Sequence, residues 1–479
     1  MFRIVISFVI SLFVFAASFD YANAKEFLDR SILLNDLKSG QWDTLEQKLN
    51  TLQKFYESGE TNDAFIEHAL DTFMHSSPQT LKALNEWVET RPDSAFAYAA
   101  RGVHYWRVYS YGRFNFGVNV TESDKVFSAP EGYIYKGDEF DKARLNFNKS
   151  ISLNPKLATS HSYLISLAML EKNQIAKGIA YRNAMDNVPN SDGVRWRYFF
   201  SLVPQWQGNK TNVKLEIKLA DYFAKRKGHA AAPKNFLTYF EAKQKGLQGD
   251  RISKSKLLSQ AVTENTRWYM GWDYADVLRR NKDYETSIEV AKSQLKRYPQ
   301  NPMILDSIAK AYCNLERYEE AFEYWDKSAE FNPHDPNMLD FRAWCRIEWG
   351  RKIEDGHIVT DVTTARQQYK LALSDMEAAA PYGGNWAQIR YRRASILTYR
   401  LKRFEEALID TEFLIAIRPK NTAYLNLHSQ VIFSLHDCNF KKLDIKLADL
   451  CQKGSCNKFQ RDSANWRLSV AKKNGWCKG

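Results

Sequence analysis

The sequence predicts an all-α fold, a right-handed α-solenoid of paired helices with irregular insertions. Three observations carry this. Prolines recur at a fixed interval: Pro155 to Pro189 and Pro299 to Pro333 are both 34 residues. Pro333 to Pro381 is 48, Pro381 to Pro419 is 38 and Pro92 to Pro155 is 63, which reads as the same period lengthened by insertions. That period is the length of one hairpin of two antiparallel helices. Between the prolines, apolar residues repeat at helical rather than strand spacing. Breakers are also scarce. The 21 Gly and 13 Pro of 479 residues are roughly 7% of the chain, where about 12% is ordinary, which disfavours a turn-rich β fold.

Taken in order, the chain opens MFRIVISFVISLFVFAASFDYANA. Arg3 supplies a positive start, Ile4 to Phe19 is mostly apolar, and Ala22-Asn23-Ala24 places small residues where a signal peptidase reads. Residues 1–24 read as a secretory signal peptide cut before Lys25. The apolar run of 16 residues falls short of the about 20 that a spanning helix needs, and no later run is long enough. Residues 25–92 read as two or three entry helices. The 68 Lys and Arg against 56 Asp and Glu give a formal charge of +12, unchanged by loss of Arg3 and Asp20 with the signal. Such a surface favours acidic partners; export argues against nucleic acid.

Residues 93–420 carry the repeats. In ILDSIAKAYCNLERYEEAFEYWDKSAEFNP, Ile308, Ala309 and Tyr312 share one face of a first helix, and Ala321, Trp325 and Ser328 one face of a second. Small residues let the two helices approach while Tyr312 and Trp325 fill the space between them. The unit opened by Pro92 is split: Tyr98, Gly102 and Tyr105 fit its first helix and Ala143, Phe147 and Ser150 its second. Between them lies an insertion near 108–136, rich in Gly, Tyr and Phe. Residues 191–267 look helical, but lose register around Gly228–Pro233. Residues 421–479 read as the exit cap.

Period and side chains together resemble the tetratricopeptide repeat over roughly 93–420. A second resemblance rests on SGQWDTLEQKLNTLQKFYESG, LNEWVETRPDSAFAYAARGVHYWR and LVPQWQGN, which look like a bacterial secreted family called domain of unknown function 4034. That family tends to carry Gly-Gly-Ser after its tryptophan; here Trp206 is followed by Gln207-Gly208-Asn209. It implies helical repeats and export in a Gram-negative bacterium, and brings no catalytic residues.

Candidate chemistry is sparse. His68, Asp71 and His75 fall on a similar helix face and could offer zinc two imidazoles and a carboxylate, but no fourth ligand or tight motif accompanies them. No phosphate loop, nucleophile elbow or dinucleotide fingerprint is present. The reading is therefore non-enzymatic, without cofactor or metal. The tetratricopeptide resemblance implies which first-helix positions face a concave groove. In this chain they are Phe96, Trp106 and Arg107, then Trp272, Arg279 and Arg280, then Met303 and Lys310, then Trp344, then Arg392, Tyr399 and Arg400. Arg279, Arg280, Arg392 and Arg400 are expected to be exposed. Aromatic and arginine side chains are what anchor interfaces, so the groove suits an extended acidic peptide or a C-terminal carboxylate.

Six cysteines in an exported chain point to disulfides. Phe440 to Leu450 and Asn457 to Lys473 read as antiparallel helices around the turn Lys453-Gly454-Ser455. Proximity then selects Cys451–Cys456 and Cys438–Cys477, a hairpin clasped at both ends. Cys313 and Cys345, 32 apart in successive first helices, could pair or stay separately buried as small apolar side chains; the second is preferred. The leading functional expectation is a scaffold that binds another protein in a basic, aromatic groove. The alternatives are a factor that binds acidic glycolipid or polymer through its basic surface, and an enzyme with no recognisable motif.

Overall fold

The computed structural model describes residues 27–112, 138–202, 218, 222, 234–263, 266–383 and 386–477. The signal segment, nearly all of the 108–136 insertion, the Trp206 loop and the Gly228–Pro233 stretch lie outside the described residues.

Among the described residues the chain forms 22 α-helices and no strand. The entry helices are α1 (Arg30–Lys38), α2 (Trp42–Glu57), α3 (Ala64–Leu70) and α4 (Pro78–Thr90). There follow α5 (Ala95–Gly112), α6 (Glu139–Leu153), α7 (Ala158–Leu170), α8 (Gln174–Asn187) and α9 (Asp192–Ser201). The middle holds α10 (Lys234–Leu247), α11 (Arg251–Ala261), α12 (Trp268–Arg280), α13 (Tyr284–Arg297), α14 (Pro302–Asn314) and α15 (Tyr318–Phe331). Beyond these come α16 (Pro336–Glu354), α17 (Ala365–Gly383), α18 (Ala387–Ser395) and α19 (Phe404–Ile417), then the cap helices α20 (Thr422–Ser434), α21 (Phe440–Gln452) and α22 (Lys458–Lys473). Consecutive helices pack as hairpins: α5 with α6, α7 with α8, α10 with α11, and so on in pairs to α18 with α19.

Local chemistry explains the period. Two residues after each of four repeat prolines stands a helix N-cap: Ser191, Asn301, Asp335 and Asn421 accept first-turn amides of α9, α14, α16 and α20. Such caps satisfy donors that a helix start leaves unpaired. The turns inside hairpins repeat as well. Lys282 and Glu316, and again Lys402 and His436, stand 34 residues apart, each with positive φ. Left-handed backbone at a helix exit lets later amides turn back onto the last carbonyls, as Asp283 does onto Leu278 and Arg317 onto Tyr312. Ser150 and Ser328, each five residues before a repeat proline, hydrogen-bond back to the start of their first helix, at Ala95 O (2.8 Å) and Pro302 O (2.9 Å). Ala309, Ala321 and Trp325 are fully buried. The Trp325 indole donates to Asp306 at 2.9 Å.

The entry helices do more than cover one end. Leu33, Leu49, Phe73 and Trp87 belong to the same apolar core as Ala275, Ile308, Trp325 and Leu397. A polar joint ties them to the middle repeats. Arg267 spans Asp63 (2.6 Å) and Glu67 on α3, and Glu67 also accepts from Arg197 at 3.3 Å. Asp63 accepts from the Gly193 amide at 3.1 Å and from the Ser191 hydroxyl. A Cβ at Gly193 would lie 2.6 Å from the Arg267 guanidinium and 2.7 Å from the Asp63 carboxylate, so a side chain there would have to displace the ion pair.

Three cysteine pairs lie at bonding distance: Cys451 with Cys456, Cys438 with Cys477 and Cys313 with Cys345, with Cα separations of 4.8, 5.5 and 6.2 Å. The preferred reading of Cys313 and Cys345 as separate thiols is corrected. They sit one repeat apart on α14 and α16, where stacking brings equivalent positions together.

Candidate functional site

The predicted groove residues separate into three groups. Those on α5 face protein. Phe96 is only 4% exposed and joins the core, which corrects its place in the groove. Trp106 packs edge-on against Tyr163, with ring centres 5.0 Å apart. Arg107 pairs with Asp335 at 3.0 Å, and nearby Tyr111 donates to Asn332 at 2.6 Å. This side of α5 is thus closed against α7 and against the Asn332–Asp335 turn that leads into α16.

The second group forms a ladder in which each cation is paired with a carboxylate. Arg279 pairs with Asp276 at 2.8 Å, Lys310 with Asp306, Arg392 with Asp340, and Arg400 with Glu354 at 3.2 Å. Arg279 and Lys310 both lie over the Phe341 ring, at 5.5 and 5.2 Å, and Trp344 packs edge-on against that ring at 5.0 Å. Met303 is half-buried beside Arg107. The expectation of exposed arginines is corrected for Arg279, Arg392 and Arg400, whose side chains are 13%, 18% and 27% exposed. Reversing any of these charges would set two carboxylates against each other. Tyr399 is 37% exposed.

The third group lines an open cleft of about 330 Å³ between the α10–α11 hairpin and α12. Lys243, Leu247, Arg251, Lys254, Trp272 and Arg280 line it, with Asp273 and Asp276 in its wall. The hairpin turn places these cations: Gly249 takes φ +80°, and Asp250 caps α11 by accepting from Ser253. Asp273 is buried and accepts from Lys243 (2.8 Å) and Lys254 (2.7 Å). Burial alone would raise its pKa, but the two ammoniums reverse the sign and hold it below the usual carboxylate range. Arg279 and Arg280 likewise overcome burial to hold Asp276 low. Arg280 is 59% exposed and Arg251 is exposed. Four cations against two ionised carboxylates leave the lining positive beside an indole face. The repeat pattern led to Trp272 and Arg280. Lys243, Arg251, Lys254 and Asp273 escaped it, because the α10–α11 hairpin lies where the register is lost.

The zinc candidate does not assemble. Arg30, which can only donate, contacts His68 Nδ1 at 3.1 Å, so Nε2 carries the proton and donates to Pro299 O at 3.2 Å. Asp71 accepts from Tyr163 at 2.7 Å, and His75 Nδ1 meets the Thr80 hydroxyl at 3.0 Å. Among the described residues no three His, Cys, Asp or Glu side chains are placed to hold a metal.

Buried histidines do set a pH dependence. Burial, with smaller help from Lys38 and other histidines, pushes His75 down to about 3, and burial pushes His104 down to about 4. Both lie below their ordinary 6.5, so their contribution is complete above that pH and is lost as pH falls toward the folded values. From pH 7 to pH 5, His104 alone should remove about 2 kcal/mol. His104→Gln should lose that much less than the parent over the same interval, read from urea midpoints.

No family model matches the chain and no curated protein matches it, so the likeness to domain of unknown function 4034 gains no support. Several solved structures are similar to it at low identity. A tetratricopeptide repeat protein from Parabacteroides merdae ATCC 43184 is 16% identical over 51% of this chain and 94% of its own, with a TM-score of 0.35. The APC/C hetero-tetramer Cut9-Hcn1 matches at 11% identity over 94% of this chain and 90% of its own, with a TM-score of 0.43. Yeast Tom70 matches at 11% over 95% and 96%, with a TM-score of 0.30. Scores this low carry no argument. The class, an all-α array of tetratricopeptide-like helical hairpins, rests on the chain's own pairing, caps and 34-residue turns.

Proposed function

We propose that this chain is an exported helical-repeat scaffold that binds an extended acidic segment of another protein along its concave side, with the α10–α12 cleft as anchor. The observation that carries this reading is the convergence of Lys243, Arg251, Lys254 and Arg280 beside Trp272 around only two carboxylates. An incoming carboxylate can pair with Arg251 or Arg280 without uncovering a buried charge, while the indole and Leu247 take an apolar neighbour. The ladder from Arg279 to Arg400 is already neutralised, so it contributes shape and aromatic surface more than charge.

Arg251→Glu combined with Arg280→Gln, which sets no second carboxylate against Asp276, tests the reading. Both side chains are exposed, so stability should change by under about 0.5 kcal/mol per site. Affinity for a fluorescent Glu- and Asp-rich peptide should fall at least about tenfold. Parent binding that survives about 0.5 M salt fits a shaped cleft, whereas binding abolished by salt points to diffuse surface charge. Equal affinity of parent and variant at low salt refutes the cleft. Export rests on residues 1–24 and the three cysteine pairs. N-terminal sequencing of protein from the cell envelope should begin at Lys25; a chain still starting at Met1 counts against export.

A further inference from the structure

We propose that the outward face of the last helix, α22, is a docking surface for an anionic lipid bilayer. Among the described residues α22 packs on α20 and α21, and the uncovered side of a helix in a stacked array is ordinarily polar. Here the inner face buries Gln460, Ala464, Arg467 and Ala471. Along one edge of the exposed face Phe459 and Trp466, seven residues and nearly two turns apart, fall on one stripe and are 64% and 54% exposed. The exposed face also carries four cations: Lys473 continues that stripe, Lys458 lies about 100° from it, and Arg461 and Lys472 lie along the opposite edge of the face. Asp462, which pairs with Arg461 at 3.7 Å, lies among them.

The face is held in shape. Trp466 rests against Phe433 with ring centres 5.6 Å apart, and Phe433 packs in turn on Phe440 and Trp476. The Cys438–Cys477 and Cys451–Cys456 pairs clasp the helix to α21 at both ends.

Three considerations select a bilayer as the occupant. A soluble polyanion would pair the cations but leave both rings in water. A protein interface draws on Arg and is depleted in Lys, yet three of these four cations are Lys. At a membrane surface, aromatic rings settle at headgroup level, and lysines beside them gain from the negative surface potential.

The test is co-sedimentation of the chain beginning at Lys25 with phosphatidylcholine vesicles, plain or mixed with phosphatidylglycerol. The mixed vesicles should retain at least about tenfold more protein than the plain ones. Phe459→Ser with Trp466→Ser, and separately Lys472→Glu with Lys473→Glu, should each lower that retention about tenfold. The lysine pair is exposed and outside the Phe433 cluster, so it reads the surface even where loss of Trp466 loosens the cap. No preference for the mixed vesicles overturns the proposal, as does undiminished retention of both variants. Binding to soluble polyglutamate with none to either vesicle overturns it as well, and makes the face an acidic-polymer site.

Discussion

Arg267→Ala is expected to cost the fold about 3–5 kcal/mol, the largest single-residue effect foreseen for this chain. Arg267 is buried at the start of α12 and bridges two carboxylates of the entry helices, Asp63 and Glu67, whose side chains are 3% and 6% exposed. Burial would raise Glu67, but Arg267 and then Arg197 hold it down. Without the guanidinium, two buried negative charges face each other with only the Gly193 amide, the Ser191 hydroxyl and Arg197 to answer them. A buried charge that loses its partner costs far more than the pair contributes, because desolvation is no longer offset. Arg267→Ala combined with Asp63→Asn and Glu67→Gln should therefore recover much of the loss. Arg280→Ala, at an exposed site, should move the urea midpoint by less than about 0.5 kcal/mol in equivalent stability. Because the joint holds α3 to the repeats, amide exchange should accelerate in Ala64–Leu70 before it does in α14 or α15. An Arg267→Ala protein within about 1 kcal/mol of the parent would mean the joint is wet.

What could be read in advance follows from how local each determinant is. The proline period, the small residues Ala309, Ala321 and Ser328, and the clasped cap depend on neighbours within one hairpin, and pattern suffices for those. Trp272 and Arg280 were reachable because their unit keeps an unbroken 34-residue frame up to Pro299. Phe96 and Arg107 were not. Arg107 and its neighbour Tyr111 meet Asp335 and Asn332, more than two hundred positions away, and no periodicity encodes which face of α5 the chain will close upon. The joint around Arg267 is harder still, since Asp63, Glu67 and Arg267 each look like ordinary solvated helix charges in sequence. Pairing of the ladder was half legible. Asp306 and Lys310 stand four apart on one helix, as do Asp276 and Arg280, a spacing that itself predicts contact. Arg392 with Asp340 spans repeats and needed the structure.

The cap should split its stability unequally between its two clasps. Cys438–Cys477 closes a separation of 39 residues and Cys451–Cys456 one of 5. On the chain-entropy model these correspond to about 4 and about 2 kcal/mol. Replacing Cys438 and Cys477 with serine should therefore destabilise α21 and α22 roughly twice as much as replacing the inner pair. The outer clasp matters for a second reason. Between the helices lies a fully buried pair in which Arg467 grips Asp444 with two hydrogen bonds, at 2.9 and 2.6 Å, and reaches Asn426 on α20 at 3.1 Å. The attraction within that pair is strong only while water is excluded, and Phe440 and Ala471, close to the outer clasp, belong to the cluster that excludes it. Opening the outer clasp should thus expose Arg467 and Asp444 together, giving faster amide exchange across both helices while the α14–α15 hairpin keeps its protection. Opening the inner clasp should loosen only the Lys453–Ser455 turn. Peptide mapping without reductant checks the premise: a peptide linking Cys438 to Cys451, or Cys456 to Cys477, would mean the hairpin is wrongly drawn, and equal destabilisation by the two serine pairs would mean that loop length does not govern the cap.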